Sequence, residues 1–129
     1  MALTRDEILG IQDIKTKEIH VPDWDKEICI RKLTRGQQDE YAKRRFGKAS
    51  FKQAGKASQQ VEGSVDIFGH DAWLVAQGVC DENGKRLFTD ADVNKLNEKS
   101  GEAIGFIAIQ IVEFSGMRED IESLEEAKN

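Results

Sequence analysis

The chain has few of the residues from which catalytic and metal centres are built. Its 129 residues include two histidines and two cysteines. None of the four stands in a Cys-x-x-Cys or His-x-x-x-His pattern, the spacings that bring two zinc ligands together. No Gly-x-Gly-x-x-Gly follows a strand, and Gly47-Lys48-Ala49 lacks both the hydroxyl and the preceding strand of a phosphate-binding loop. Asp81, Asn83 and Gly84 open like a calcium loop, but the glycine falls at position four instead of six and Asp92 stands where a bidentate glutamate is needed. The expectation is therefore no catalytic residue, no cofactor and no metal. Long apolar runs are also missing: nothing approaches the ~18–20 residues that cross a bilayer, and the opening MALTRDEILG is charged rather than leader-like. No membrane partner is expected. The scarce cysteines, Cys29 and Cys80, read as reduced thiols packed as small apolar groups, with a disulfide between them the minor alternative.

With 39% apolar and 33% charged residues, the composition is polar for a globular domain but not that of a disordered chain. One domain spanning residues 1–129 is expected. Proline is scarcer still: Pro22 is the only one. It sits between two period-two segments, Glu18–Val21 and Glu27–Arg31, which read as a β-hairpin with Trp24 near its tip. Capping-box spacings, Thr4-x-x-Glu7 and Thr34-x-x-Gln37, open a helix from about Thr4 to Asp13 and a second one ending near Gly47. In the first, Leu3 is placed to staple against Ile8. Residues 47–63 surround one large side chain, Phe51, with glycine, alanine, serine and lysine, and read as a mobile loop or weak helix. Helical periodicity resumes over Val65–Val79, and Cys80–Lys85 turns through Asn83-Gly84. Thr89 caps a short helix carrying Val93 and Leu96. Ser100 starts the most apolar helix, ended or kinked at Ser115-Gly116. Residues 117–129 form an acidic, frayed tail. The fold class is α+β, mostly helical, with one N-terminal β-hairpin.

Charge is unevenly placed. Residues 31–56 carry nine basic side chains against Asp39 and Glu40, a net +7, so the rest of a chain of net charge −5 carries −12. Such a segment is usually a solvated face; it also suits an acidic partner, including another copy of the chain, or nucleic acid. The few aromatics within it make base stacking unsupported, so nucleic acid is a secondary alternative. Ile104, Ile107 and Ile111 share one face of the last helix, where core packing outranks a partner surface because large apolar patches are uncommon on monomers. The spacing Gly101-x-x-x-Gly105 on that helix reads as close helix packing.

The order of LTRDEILGIQDIKTKEIHVPDW, ICIRKLT and CDENGKRLFTDADVNKLNEKSGEAI resembles the tail assembly chaperones of long-tailed, siphovirus-like bacteriophages. The Asp81–Val93 block is the most specific piece; similar stretches in that family link two helices. Residues 47–63 have no counterpart in the resemblance. It implies a non-enzymatic, mostly helical protein that coats the tape-measure protein and delivers tail-tube subunits to it. It further implies self-association, action in the host cytoplasm, absence from the mature virion, and in many members a longer form made by ribosomal frameshift. The candidate partner-binding residues are Trp24, Ile104, Ile107, Ile111, Arg44 and Arg45. A structural head–tail or tail component is the remaining alternative.

Overall fold

The computed structural model describes residues 1–46, 50–51, 61–62 and 70–117. Its elements are α1 (Arg5–Gly10), β1 (Thr16–Val21), β2 (Lys26–Arg31), α2 (Arg35–Phe46), β3 (Ser50–Phe51), β4 (Val61–Glu62), α3 (Asp71–Gly78), β5 (Val79–Cys80), a 3-10 turn (Asp90–Asp92), α4 (Val93–Leu96) and α5 (Gly101–Phe114). The α+β class, with its N-terminal hairpin and predominance of helix, is the one expected.

Alternating side chains set the hairpin. β1 and β2 pair antiparallel, with Ile19 opposite Ile28 and Lys17 opposite Ile30. Ile19, Val21 and Ile30 face the core while Glu18 and His20 face water. Between the strands the Trp24 N–H donates to Val21 O and the Asp25 N–H to Pro22 O, both at 3.2 Å. Asp25 takes a φ of +50°, a left-handed conformation that short polar side chains tolerate. Pro22, with no N–H, leaves no ladder bond unmade at the strand exit.

A third strand was not expected. The helix read as reaching Val79 stops at Gly78; Val79 keeps its N–H bond to Val75 O but turns extended, at φ −86° and ψ 132°. Val79 and Cys80 then pair antiparallel with Ile30 and Cys29, giving the strand order β1-β2-β5. Periodicity could not reveal this, because Val79 is buried in either conformation. Asp81 closes the turn that follows, its Oδ1 accepting from the N–H groups of Asn83 at 2.8 Å and Lys85 at 3.0 Å. Gly84 supplies the positive φ of 84°.

α3 and α5 pack against each other and the sheet, burying Trp73, Leu74, Val75, Ile104, Ile107 and Ile111 together with Val21 and Ile30. The close approach lies at Gly78, where an added Cβ would stand 2.5 Å from Ile111 Cδ1. The Gly101–Gly105 spacing does not serve that purpose: a Cβ at Gly101 meets nothing within 4 Å, and one at Gly105 only Asp71 Oδ2 at 3.8 Å. α5 begins with Ser100 Oγ accepting from the Ala103 N–H. It ends at Gly116, φ +74°, with the Met117 N–H reaching back to Val112 O, the six-to-one bond of a Schellman motif. Ser115 Oγ accepts from the Leu33 N–H at 2.9 Å and so ties this end to the chain leaving β2.

The Thr34–Gln37 capping box opens α2. From it runs a polar chain: Gln37 Nε2 donates to Gln77 Oε1 at 2.9 Å, Gln77 Nε2 to Asp90 Oδ1 at 2.6 Å, and Arg86 Nη2 to the same Asp90 oxygen at 3.1 Å. Buried Gln77 is thereby satisfied at both ends of its amide. The Thr4–Glu7 box also forms, but α1 stops at Gly10 rather than Asp13 and buries no residue. Leu3 and Ile8, expected to staple, are 54% and 55% exposed.

Within residues 47–63, read as loop or weak helix, Phe51 pairs with Val61 and Ser50 with Glu62 as antiparallel strands. The rest of that segment, and residues 118–129 of the expected frayed tail, lie outside the described residues. Met117, assigned to that tail, is buried.

Gly78→Ala is expected to destabilise the fold by about 1–3 kcal/mol through overpacking. It would appear as a lower urea midpoint at unchanged slope, and Ile111→Val, by removing the nearest methyl, should recover part of the loss in the double variant. An unchanged midpoint for Gly78→Ala contradicts the contact. Asp90 gives a second expectation. The Gln77 amide, and after it Arg86, hold its carboxyl below the usual carboxylate range. Its stabilising contribution is therefore present above the unfolded pKa of about 4 and is lost as pH falls through the lower folded value. Asp90→Asn should lower stability at neutral pH and flatten the acid limb of the stability–pH curve; an unaltered limb contradicts this role.

Candidate partner-binding surface

A helix of six residues is marginal in water by its own propensity, so the α1 arm matters for what it exposes. Leu3, Ile8, Leu9 and Ile11 are 46–68% exposed, and Ile14 joins them at the threshold of β1. Solvated loops do not need this many large apolar side chains in succession. Clustered in one short arm, they form the kind of patch that marks an interaction surface.

A second apolar surface lies at the other end of the hairpin. Val21, Pro22 and Asp23 from the hairpin and Glu102, Ala103 and Phe106 from α5 line a groove of about 350 Å³. Apolar Val21, Pro22, Ala103 and Phe106 share its lining with the acidic Asp23 and Glu102. Trp24 follows directly in the chain, 36% exposed, and Ile109, 52% exposed, stands on α5 one turn beyond Phe106. Trp24 is thus placed as an aromatic at an exposed turn.

Ile104, Ile107 and Ile111 go the other way. All three are core side chains, Ile107 and Ile111 with no exposed surface, so the reading of this face as core prevails over that of a partner surface. α5 presents Glu102 and Ile109 to solvent instead, with Phe106 half-buried between them. Helical periodicity located the apolar face of α5 but could not show that Ile109, off that face, remains uncovered.

Arg44 and Arg45 are engaged within the chain. The Arg44 guanidinium lies 4.8 Å from the Trp73 ring centroid and its Nε is 3.2 Å from Glu40. Trp73 is in turn stacked on Tyr41, whose hydroxyl accepts from Arg45 Nη1 at 3.0 Å. Beside them, desolvation raises the Asp71 carboxyl, and the charges of Arg45 and His70 oppose that rise. Of the other basic residues of the segment, Arg31 donates to Gly84 O, Lys32 lies over the Phe114 ring, as does Lys17 from β1, and Arg35 stands 3.8 Å from Asp39 one turn on in α2. Lys48, Lys52 and Lys56 lie outside the described residues. Arg44 thus braces α2 against α3, and Lys32 the chain leaving β2 against α5.

Sequence reasoning missed the arm's Leu3, Leu9 and Ile11 as interaction candidates. A capping box followed by isoleucines at helical spacing reads as a helix with a covered face; the signal against it was the brevity of a helix broken by Gly10. Among the described residues there is no group of three or more His, Cys, Asp or Glu able to hold a metal ion, and no helix long and apolar enough to cross a membrane.

The solved structure of the bacteriophage HK97 tail assembly chaperone is similar to this one, with a TM-score of 0.51 over 81% of this chain and 84% of that one. At 15% identity that likeness is one of fold. No curated protein matches the chain. The family model described as phage tail assembly chaperone matches residues 8–129, nearly the whole sequence, and the chain therefore belongs to the phage tail assembly chaperones.

Proposed function

We propose that the protein is a non-catalytic chaperone of the tape-measure protein: it covers that protein's apolar stripes, keeps it soluble and brings tail-tube subunits to it. The observation that carries this reading is the apolar arm, whose Leu3, Ile8, Leu9 and Ile11 stay about half exposed or more among the described residues. A long coiled-coil protein exposes apolar seams wherever its helices are not yet paired, and a short amphipathic helix docks on such seams through side chains three and four apart. Self-association would place many arms along one tape measure, converting weak single contacts into avid coating. In this reading the protein works in the host cytoplasm and leaves before the virion is complete. A stoichiometric presence in purified virions contradicts that departure. A longer frameshifted form, of the kind the resemblance implies for many members, would carry the tail-tube contact.

The test is co-expression with the tape-measure protein from the same tail gene cluster. Each Ile or Leu buried on binding contributes about 1.5–3 kcal/mol, so Ile8→Ser, Leu9→Ser and Ile11→Ser combined should weaken capture at least about a hundredfold and leave the tape measure insoluble. Because these side chains are exposed, the triple variant should unfold within about 0.5 kcal/mol of the parent. A triple variant that still solubilises the tape measure contradicts the arm's role.

A further inference from the structure

Cys29 and Cys80 are the only cysteines of the chain, and the register of β2 and β5 makes them direct cross-strand partners. Opposed residues of an antiparallel pair have Cα atoms about 4.5–5.5 Å apart, inside the ~4.4–6.8 Å that a disulfide spans. Both cysteines are free thiols, with sulfurs 3.4 Å apart and the Cys80 S–H directed at Cys29. Cys29 is partly exposed and Cys80 buried, so Cys29 is the more accessible residue of the pair. Neither side chain belongs to the arm or to the groove.

We propose that Cys29 and Cys80 form an oxidation site at which a hydroperoxide closes a disulfide that staples β2 to β5. The Cys29 thiolate attacks the peroxide; the O–O bond breaks, the sulfur becomes a sulfenic acid and the remaining oxygen leaves as alkoxide or hydroxide. Burial, and then the hydrogen bond with Cys29, push the Cys80 thiol up to about 12, so it keeps its proton while the first step occurs. The Cys80 sulfur then displaces the sulfenic hydroxyl. An S–S bond forms, the S–O bond breaks, and the hydroxyl departs with the Cys80 proton as water. Two thiols are oxidised by two electrons and one peroxide is reduced.

The consequence is mechanical. β5 is joined to β2 through only Cys29↔Cys80 and Ile30↔Val79. The staple would fix the hairpin that carries Trp24 to the end of α3 and close a loop containing α2. A cross-link closing a loop of that length acts chiefly on the unfolded chain. Oxidised protein should therefore melt about 5–20 °C higher than reduced protein.

The experiment treats the purified full chain with a small excess of hydrogen peroxide and reads intact mass, maleimide labelling and melting temperature. The expected product is a monomer lighter by about 2 Da, inert to maleimide, with a raised melting temperature that dithiothreitol reverses. Cys29→Ala, which changes the partly exposed partner, should show neither the mass loss nor the shift. Covalent dimers, a gain of oxygen without loss of hydrogen, or thiols that remain fully labelled after treatment would each overturn the proposal.

Discussion

The approach of Gly78 to Ile111 is the contact on which the other elements depend. An added Cβ at Gly78 would overlap the Ile111 side chain, so the last turn of α3 can lie on α5 only because no side chain stands between them. That contact sets where α3 ends, and hence where Val79 and Cys80 emerge. From there they reach β2 and complete the sheet. Gln77, the residue before Gly78, is held by Gln37 of α2 and by Asp90, so the same short stretch fixes α2 and the 3-10 turn. Packing, strand pairing and the buried polar chain therefore share three consecutive residues, Gln77 to Val79.

Local sequence signals suffice where one covalent neighbourhood decides the outcome. The hairpin, the Thr4–Glu7 and Thr34–Gln37 boxes, the Asp81–Lys85 turn and the end of α5 at Gly116 all depend on residues a few positions apart. What escaped depends on distant partners. β5 is a strand because β2 offers it an edge, and nothing within Val79-Cys80 announces that. Gly101 and Gly105 carried a familiar spacing, yet the glycine that admits a neighbour is Gly78. The candidate residues divide the same way: Trp24, at a turn set by its neighbours, is 36% exposed, Ile104, Ile107 and Ile111 are core, and Arg44 and Arg45 are occupied by Glu40, Trp73 and Tyr41.

The result is a chain whose apolar residues have two fates. Those of α3, the inward face of α5 and the inner face of the sheet are covered, with Arg44 of α2 lying over Trp73 of α3. Those of the arm are left in water, at the end of β1 opposite the groove formed by Val21, Pro22, Ala103 and Phe106. The proposed function gives such an arm a role: a protein that is to cover another protein's apolar surface must itself carry apolar surface in the free state. A helix that adds nothing to its own core is free to change partners without cost to the fold.

Amide hydrogen exchange, with and without the tape-measure protein, tests this division most directly. In the free protein, amides of residues 1–14 should exchange at nearly unprotected rates while those of α3 and α5 are protected to the level of global unfolding. On complex formation the arm should gain strong protection and the buried face of α5 should remain as it was. Protection of the arm in the free monomer, or a complex in which α5 responds and the arm does not, would contradict the account.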